Sequence, residues 1–220
     1  MTDTHGPGPG VDLNRLTAEL DARLDQADAA LARGFPGERP GRQPVHTVYV
    51  PADRFHSGTF QEYGEWALWS MDDHETLFLD LLEGDLDLLD TVRHKLNVEP
   101  VEDLRIDFED GYTVDDDEQE DADVERAAQA LRQAIKFGDA SAFHGIRFKS
   151  FERSSRQRGL RTLTRFVETL ADGGALPDGF VVTLPKVTSV DQVEAMVHAA
   201  ESLESGLGLA DHSLRFEIQV

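Results

Sequence analysis

Apolar residues recur at helical spacing near the start of the chain. Five leucines and an alanine follow one another every three or four positions, which predicts an amphipathic helix whose apolar stripe is a packing surface. They are Leu13, Leu16, Leu20, Leu24, Ala27 and Leu31. Asp12 is placed to cap this helix and Gly34 to end it. Residues 1–10 are rich in glycine and proline and predict a disordered tail, so residues 11–44 are assigned to an N-terminal helix and a linker.

Five later segments have the composition and patterning of β-strands, and helical patterns separate them. The strand segments are residues 46–51, 104–109, 144–151, 179–187 and 214–220. The second segment alternates strictly, with Leu104, Ile106 and Phe108 on one face and charged residues on the other. The fourth is apolar almost throughout, as expected of a parallel strand covered on both faces. Helical spacing predicts helices over about 63–96, 124–135, 160–170 and 190–200.

Alternation of strands and helices predicts an α/β fold built from parallel βαβ units. We expect a (β/α)8 TIM barrel, because charged residues lie near the ends of several strands, where such barrels place their chemistry. A doubly wound sheet is the alternative. A full barrel takes about 250 residues, and only five strands fit into residues 45–220. The expectation is therefore the N-terminal part of a truncated barrel domain, preceded by the N-terminal helix.

The composition of the chain restricts the classes of molecule that it can bind. Acidic residues number 43 against 21 basic ones, a formal charge of -22, which disfavours nucleic acids and anionic membranes. The absence of cysteine excludes disulfides, thiolate metal sites and cysteine nucleophiles. Neither a signal peptide nor a long apolar span is present in the sequence. We expect a cytoplasmic protein that contacts neither nucleic acid nor membrane.

Two further charged clusters stand out. Eight acidic residues between positions 115 and 125 predict a solvated loop leading into a helix, whose backbone dipole favours acids at its start. Five arginines between positions 153 and 165 form the one basic cluster of the chain. They predict an exposed helix face, with a site for a phosphate or carboxylate tail as the alternative.

Charged and polar residues also share the predicted inner face of the sheet. They are Asp107 and Glu109, Arg147 and Lys149, Lys186, and then Arg215, Glu217 and Gln219. Opposed acids and cations in a barrel mouth can hold a carboxylate substrate and tune proton transfer. An internal salt-bridge network that only satisfies buried charge explains the same pattern equally well.

Five short motifs occur in a fixed order along the chain. They are Tyr49–Ala52, Asp107–Gly111, Ile146–Phe148, Leu184–Val187 and Phe216–Val220. In order and spacing they resemble the HpcH/HpaI aldolase and citrate lyase β-subunit family. The resemblance implies a phosphoenolpyruvate/pyruvate-type TIM barrel that makes or breaks a carbon–carbon bond through an enolate. It also implies Mg²⁺ or Mn²⁺, a small oxo- or hydroxy-acid or its CoA thioester as substrate, and a homo-oligomer.

The resemblance also assigns roles. Arg147 would bind the substrate and act in catalysis. Glu109 and Asp110 would be the catalytic acid pair and would order Arg147, metal-bound water or the proton-transfer step. Lys186 would bind substrate. The family's metal carboxylates would fall beyond Val220, and Glu217 is a poor substitute ligand. The alternatives are phosphotransfer or isomerase chemistry of the phosphoenolpyruvate type on the same barrel, and a non-catalytic fragment or assembly protein.

Overall fold

The computed structural model describes residues 11–37 and 41–220, in two units. The first unit ends at Gln43, and its described part contains helix α1, Leu13–Gly34. The side chain of Asp12 caps α1 by accepting a hydrogen bond from Arg15 N at 3.1 Å, as the sequence predicts. No residue of α1 is buried within the described structure, and the prediction that its apolar stripe is a packing surface stays a prediction. The tail predicted over residues 1–10 lies outside the described residues.

The second unit, Pro44–Val220, contains strands and helices in alternation. The strands are β1 Thr47–Pro51, β2 Asp103–Asp107, β3 Phe143–Arg147, β4 Phe180–Leu184 and β5 Phe216–Ile218. The helices are α2 Thr59–Asp73, α3 Glu75–Leu81, α4 Leu86–Val98, α5 Asp117–Phe137, α6 Arg156–Ala171 and α7 Val190–Leu207. The region predicted as helical over 63–96 is thus divided into three helices. One break falls at Glu83 and Gly84, whose φ angles of 54° and 82° are incompatible with a continuing right-handed helix.

All five strands are parallel and lie side by side in chain order, β1-β2-β3-β4-β5. The described part of the chain is therefore a mixed α/β structure, as the alternation of patterns predicted. A doubly wound sheet reverses its strand order at a switch point, and the described sheet has no such reversal. The register pairs Pro51 with Asp107, Asp107 with Arg147, and Arg147 with Thr183. Asp107 and Arg147 therefore lie side by side on adjacent strands, where an acid and a cation can form an ion pair.

The two faces of β2 have opposite chemistry. Leu104, Ile106 and Phe108 are fully buried in the hydrophobic core, together with residues of α5 and α6 such as Leu131 and Phe166. The other face carries Asp103, Arg105 and Asp107, which are also buried but paired with polar groups of β1, β4 and β3, respectively. Strict alternation of residues along this strand thus separates an oily layer from an ionic one.

Gly145 allows β3 and β4 to approach each other. A Cβ atom at this position would lie 1.7 Å from the backbone oxygen of Val181, far inside any van der Waals contact. Every side chain larger than hydrogen is therefore excluded here. Arg147 lies two residues further along β3, where the strand ends.

Candidate functional site

An ion pair joins the carboxyl ends of β2 and β3. Arg147 Nε donates to Asp107 Oδ1 at 2.8 Å, and Arg147 Nη2 donates to Asp107 Oδ2 at 2.7 Å. These two parallel hydrogen bonds form the two-pronged geometry that fixes a guanidinium both in position and in orientation. Both side chains are almost completely buried, so water does not compete for the pair.

The turn after β2 completes the binding of the Asp107 carboxylate. Asp107 Oδ1 accepts from the backbone N–H of Glu109 at 3.0 Å, and Oδ2 accepts from that of Gly111 at 2.8 Å. Burial pushes the pKa of Asp107 up, but the hydrogen bonds from Arg147 and from these two amides outweigh it and leave the pKa below its ordinary value. Asp107 is consequently a fixed negative charge.

Arg147 also contacts three groups around the strand ends. Its guanidinium carbon lies 4.4 Å from the centroid of the Tyr49 ring, a cation–π arrangement. Its remaining terminal nitrogen, Nη1, lies 3.3 Å from Gln219 Oε1 and 3.7 Å from Asp110 Oδ2. The hydrogen bonds from Arg147 to Asp107 raise the pKa of Arg147. Nη1 makes the longest contacts of the three guanidinium nitrogens, so it is the one that a ligand could engage at least cost.

Lys186 holds the two acids that follow Asp107. Its Nζ lies 2.6 Å from Glu109 Oε1 and 2.9 Å from Asp110 Oδ1. Hydrogen bonds to Glu109 and Asp110 raise the pKa of Lys186, so the ammonium is charged at neutral pH. Its backbone has φ of 55°, a left-handed conformation that costs a non-glycine residue roughly 1–2 kcal/mol. The strain lies at the end of β4, beside the candidate site.

The structure therefore brings together Arg147, Glu109, Asp110 and Lys186, the four residues predicted for catalysis and substrate binding. The contacts differ from the prediction in one respect. The acid that orders Arg147 is Asp107, whereas Glu109 pairs with Lys186. Alternation puts Asp107 on the charged face of β2 but does not distinguish it as the partner of Arg147. The parallel register that sets Asp107 opposite Arg147 was the missing signal.

Lys149 does not join this group, although alternation placed it on the same face as Arg147. β3 ends at Arg147, so the alternation stops there. The Lys149 ammonium donates to the backbone oxygen of Phe108 at 2.7 Å and lies 5.4 Å from the Tyr112 ring centroid. It also lies 3.7 Å from Glu120 in α5. Its role is to join the loop after β3 to the helix layer.

Glu217, in β5, belongs to a second ionic group. It accepts a hydrogen bond from Thr183 Oγ1 at 2.6 Å and lies 3.3 Å from Arg105 Nε, while Arg105 also pairs with Asp103. Burial, followed by the nearby charge of Glu217, raises the pKa of Tyr49. Glu217 thus already has two partners, and they are a hydroxyl donor and a guanidinium rather than further carboxylates.

Residues 11–37 and 41–220 contain no group of three or more histidine, aspartate or glutamate side chains that could hold a metal ion. The donors around Glu217 are also unsuited to one, because a guanidinium repels a cation. The side chains around Glu217 therefore do not fit the Mg²⁺ or Mn²⁺ that the resemblance implies. That cofactor stays a prediction.

The basic cluster and the acidic run neutralise each other between α5 and α6. Arg158 contacts Asp115 and Asp117 at 2.9 and 3.1 Å and also pairs with Glu120. Arg165 contacts Asp121 and Glu125 at 3.1 and 3.0 Å, and Arg161 pairs with Asp121 as well. The acidic run lies mostly within α5 instead of in a solvated loop. These three arginines already bind acids of the same chain, which disfavours the alternative of a substrate-tail site.

The fold and site together define a mixed α/β protein with a five-stranded parallel sheet and a fixed arginine–aspartate pair at the carboxyl ends of its strands. None of the helices in the described ranges is long and apolar enough to cross a membrane. Residues 24–220 match the family described as Domain of unknown function (DUF6986), and the chain belongs to that family. Neither a curated protein nor a solved structure matches it.

Proposed function

We propose that the five strands are part of a (β/α)8 barrel and that the protein is a carbon–carbon lyase acting on a small oxo- or hydroxy-acid or its CoA thioester. The observation that carries this proposal is the Arg147 guanidinium, held by Asp107 at the carboxyl ends of the strands. Barrels of this class place their chemistry at that end. The chain-order sheet and the five motifs that resemble HpcH/HpaI aldolases support the same reading.

Arg147 would stabilise the negative charge that cleavage produces. Breaking the carbon–carbon bond leaves its electron pair on the acid fragment as an enolate, so charge develops on an oxygen. Arg147 Nη1 would donate to that oxygen or to the adjacent carboxylate. Because Asp107 and Tyr49 already fix the guanidinium, little reorganisation is needed when the charge appears, and this preorganisation is what makes such donors effective.

Glu109 and Asp110 would accept the proton of the substrate hydroxyl and return one to the enolate. In the cleavage direction the substrate hydroxyl must lose its proton as its carbon becomes a carbonyl, and the enolate later gains one. Asp110 is exposed and lies 3.7 Å from Arg147 Nη1, so its carboxylate is the better placed of the two. Lys186 offsets the charge of both acids, which reduces their repulsion of an anionic substrate and gives Lys186 its proposed role in substrate binding.

A divalent cation supplies enolate stabilisation in the chemistry that the resemblance implies. The steps above use side chains of this chain alone. Dependence on Mg²⁺ or Mn²⁺ stays a separate prediction, tested by running every assay with and without added metal.

The test is release of pyruvate or glyoxylate from a panel of hydroxy-acids and their CoA thioesters. Arg147→Lys retains the charge but loses the two-pronged geometry, and we expect it to lower turnover by about 100-fold. Arg132→Lys is the matched control, because Arg132 makes a 2.6 Å surface pair with Asp172. Equal turnover in the two variants would count against the proposal.

Two further measurements separate the alternatives. Isothermal titration with oxalate, a stable mimic of the pyruvate enolate, tests binding independently of turnover, and Arg147→Lys should weaken it whereas Arg132→Lys should not. Absence of both turnover and oxalate binding would favour the internal salt-bridge network and an assembly role. Phosphate transfer or isomerisation with phosphoenolpyruvate in place of cleavage would favour the other enzyme class.

A further inference from the structure

Helix α1 carries a heptad seam. Six positions follow one another at alternating steps of four and three residues, the spacing of the core positions of a coiled coil. The α1 seam consists of Leu13, Thr17, Leu20, Leu24, Ala27 and Leu31. Its four leucines are 46% to 70% exposed, and all six residues lie on one side of a helix with no buried residue. A helix with such a stripe gains stability by covering it.

The side of α1 opposite the seam is charged and exposed to solvent. Arg15 and Glu19 are one turn apart and form a 2.9 Å exposed ion pair, at heptad positions that face away from the seam. A helix with one apolar seam and a charged outer side matches the pattern of a two-stranded coiled coil. Thr17 is the one polar residue of the seam, and a polar core residue fixes register at some cost in stability.

Charged residues beside the α1 seam indicate which partner can pack against it and in which direction. Arg23 precedes Leu24 on one flank, and Asp28 follows Ala27 on the other. In a parallel pair of α1 helices, Arg23 of each copy lies opposite Asp28 of the other, five residues on, so two attractive pairs form by symmetry. An antiparallel pair brings equivalent flanks together, with Arg23 near Arg23 and Asp21 near Asp21, which is repulsive.

We propose that α1 is a homotypic association element that pairs in parallel with α1 of a second copy of this chain through the α1 seam. This association does not depend on the proposed lyase activity.

Sedimentation equilibrium of the whole chain over a range of concentrations tests the pairing. We expect Leu20→Asp/Leu24→Asp to weaken self-association at least about tenfold, because two charges enter each seam. Ala18→Asp/Ala22→Asp is the matched control: it adds the same charge to the same helix on the outer side, and self-association should persist. A monomeric wild-type chain, or association that the seam variant leaves unchanged, would overturn the proposal.

Charge reversal tests whether the partner of α1 is α1 of a second copy. Arg23→Asp and Asp28→Arg should each weaken association, and the double variant should restore it, because the two pairs then re-form with opposite polarity. A second copy is the one partner that the double variant rescues. Failure of the rescue, with far-UV circular dichroism unchanged, rejects pairing of α1 with α1.

Single cysteines test the direction, since the wild-type chain has none. In a parallel pair the two residues at position 20 face each other in one core layer, so Leu20→Cys should form an intermolecular disulfide under mild oxidation. Ala22→Cys, on the outer side, should not. Cross-linking of both variants to the same extent, or of neither, contradicts the parallel arrangement.

Discussion

Asp103 and Asp107 lie on the same face of β2, two alternations apart, and their pKa values move in opposite directions. Burial raises the pKa of Asp103, which is paired with Arg105 and accepts from Thr47. Burial acts on Asp107 too, but the hydrogen bonds from Arg147 and from two backbone amides lower its pKa. The negative charge of this strand is therefore held most firmly at its carboxyl end, where Arg147 lies.

Replacing Asp107 should remove an acid-dependent part of the stability. The folded pKa is below the ordinary value of 3.8, so the contribution is complete above 3.8 and is lost as pH falls through the folded pKa. Asp107→Asn should cost about 3–5 kcal/mol at pH 7, because it leaves Arg147 buried without its partner. The difference from wild type should shrink below pH 3.8. Urea unfolding at pH 7, 5 and 3 measures both effects.

Asp110→Asn is the control for this change. Asp110 is exposed and lies 3.7 Å from Arg147, so its loss should cost about 0–1 kcal/mol. Equal effects of the two substitutions would show that the Asp107–Arg147 pair contributes no more than a surface contact.

Gly111 should tolerate no side chain without loss of the site. A Cβ atom there would lie 2.7 Å from Asp107 Oδ2 and 3.3 Å from Pro51 Cγ, so Gly111→Ala must displace the carboxylate that holds Arg147. We expect a cost of about 1–3 kcal/mol in unfolding free energy, together with weaker oxalate binding. Gly206→Ala, in α7 with open space around it, should instead stabilise by about 0.5–1 kcal/mol. The opposite order would refute the steric argument.

The sequence was sufficient for the layers of the fold but not for the pairing within the site. Strict alternation located β2 and its buried face, and the order of strands and helices predicted a parallel sheet. The helix break at Glu83 and the end of β3 after Arg147 were missed, because each depends on backbone geometry that apolar spacing does not encode. The choice of Asp107 over Glu109 as the partner of Arg147 required the register between two strands 40 residues apart.

Backbone strain at Lys186 should be measurable apart from its charge. Lys186→Ala and Lys186→Gly both remove the ammonium from Glu109 and Asp110, but only glycine adopts a φ of 55° without strain. The glycine variant should therefore be more stable than the alanine variant by about 1 kcal/mol. Paired urea unfolding curves at pH 7 give this difference. Equal stability of the two variants would mean that the left-handed backbone at this position carries no strain.

Arg158 and Arg165 lie in α6 and both pair with acids of α5. The acids differ in burial, which predicts very different costs of removing the two arginines. Arg158 contacts Glu120, whose side chain is 3% exposed, so Arg158→Met leaves a buried carboxylate poorly compensated and should cost about 3–5 kcal/mol. Arg165 contacts Asp121 and Glu125 near the surface, and Arg165→Met should cost about 0–1 kcal/mol.

Salt and a second substitution distinguish burial from simple loss of charge in these two variants. The small effect of Arg165→Met should fall further in 1 M NaCl, where the screening length is about 3 Å, whereas the effect of Arg158→Met should persist. Glu120→Gln should recover part of the stability lost in Arg158→Met, because Thr162 Oγ1, 2.6 Å from Glu120 Oε1, can still donate to the amide oxygen. No recovery in the double variant would place the cost in the packing of the Arg158 stem instead of in the uncompensated carboxylate.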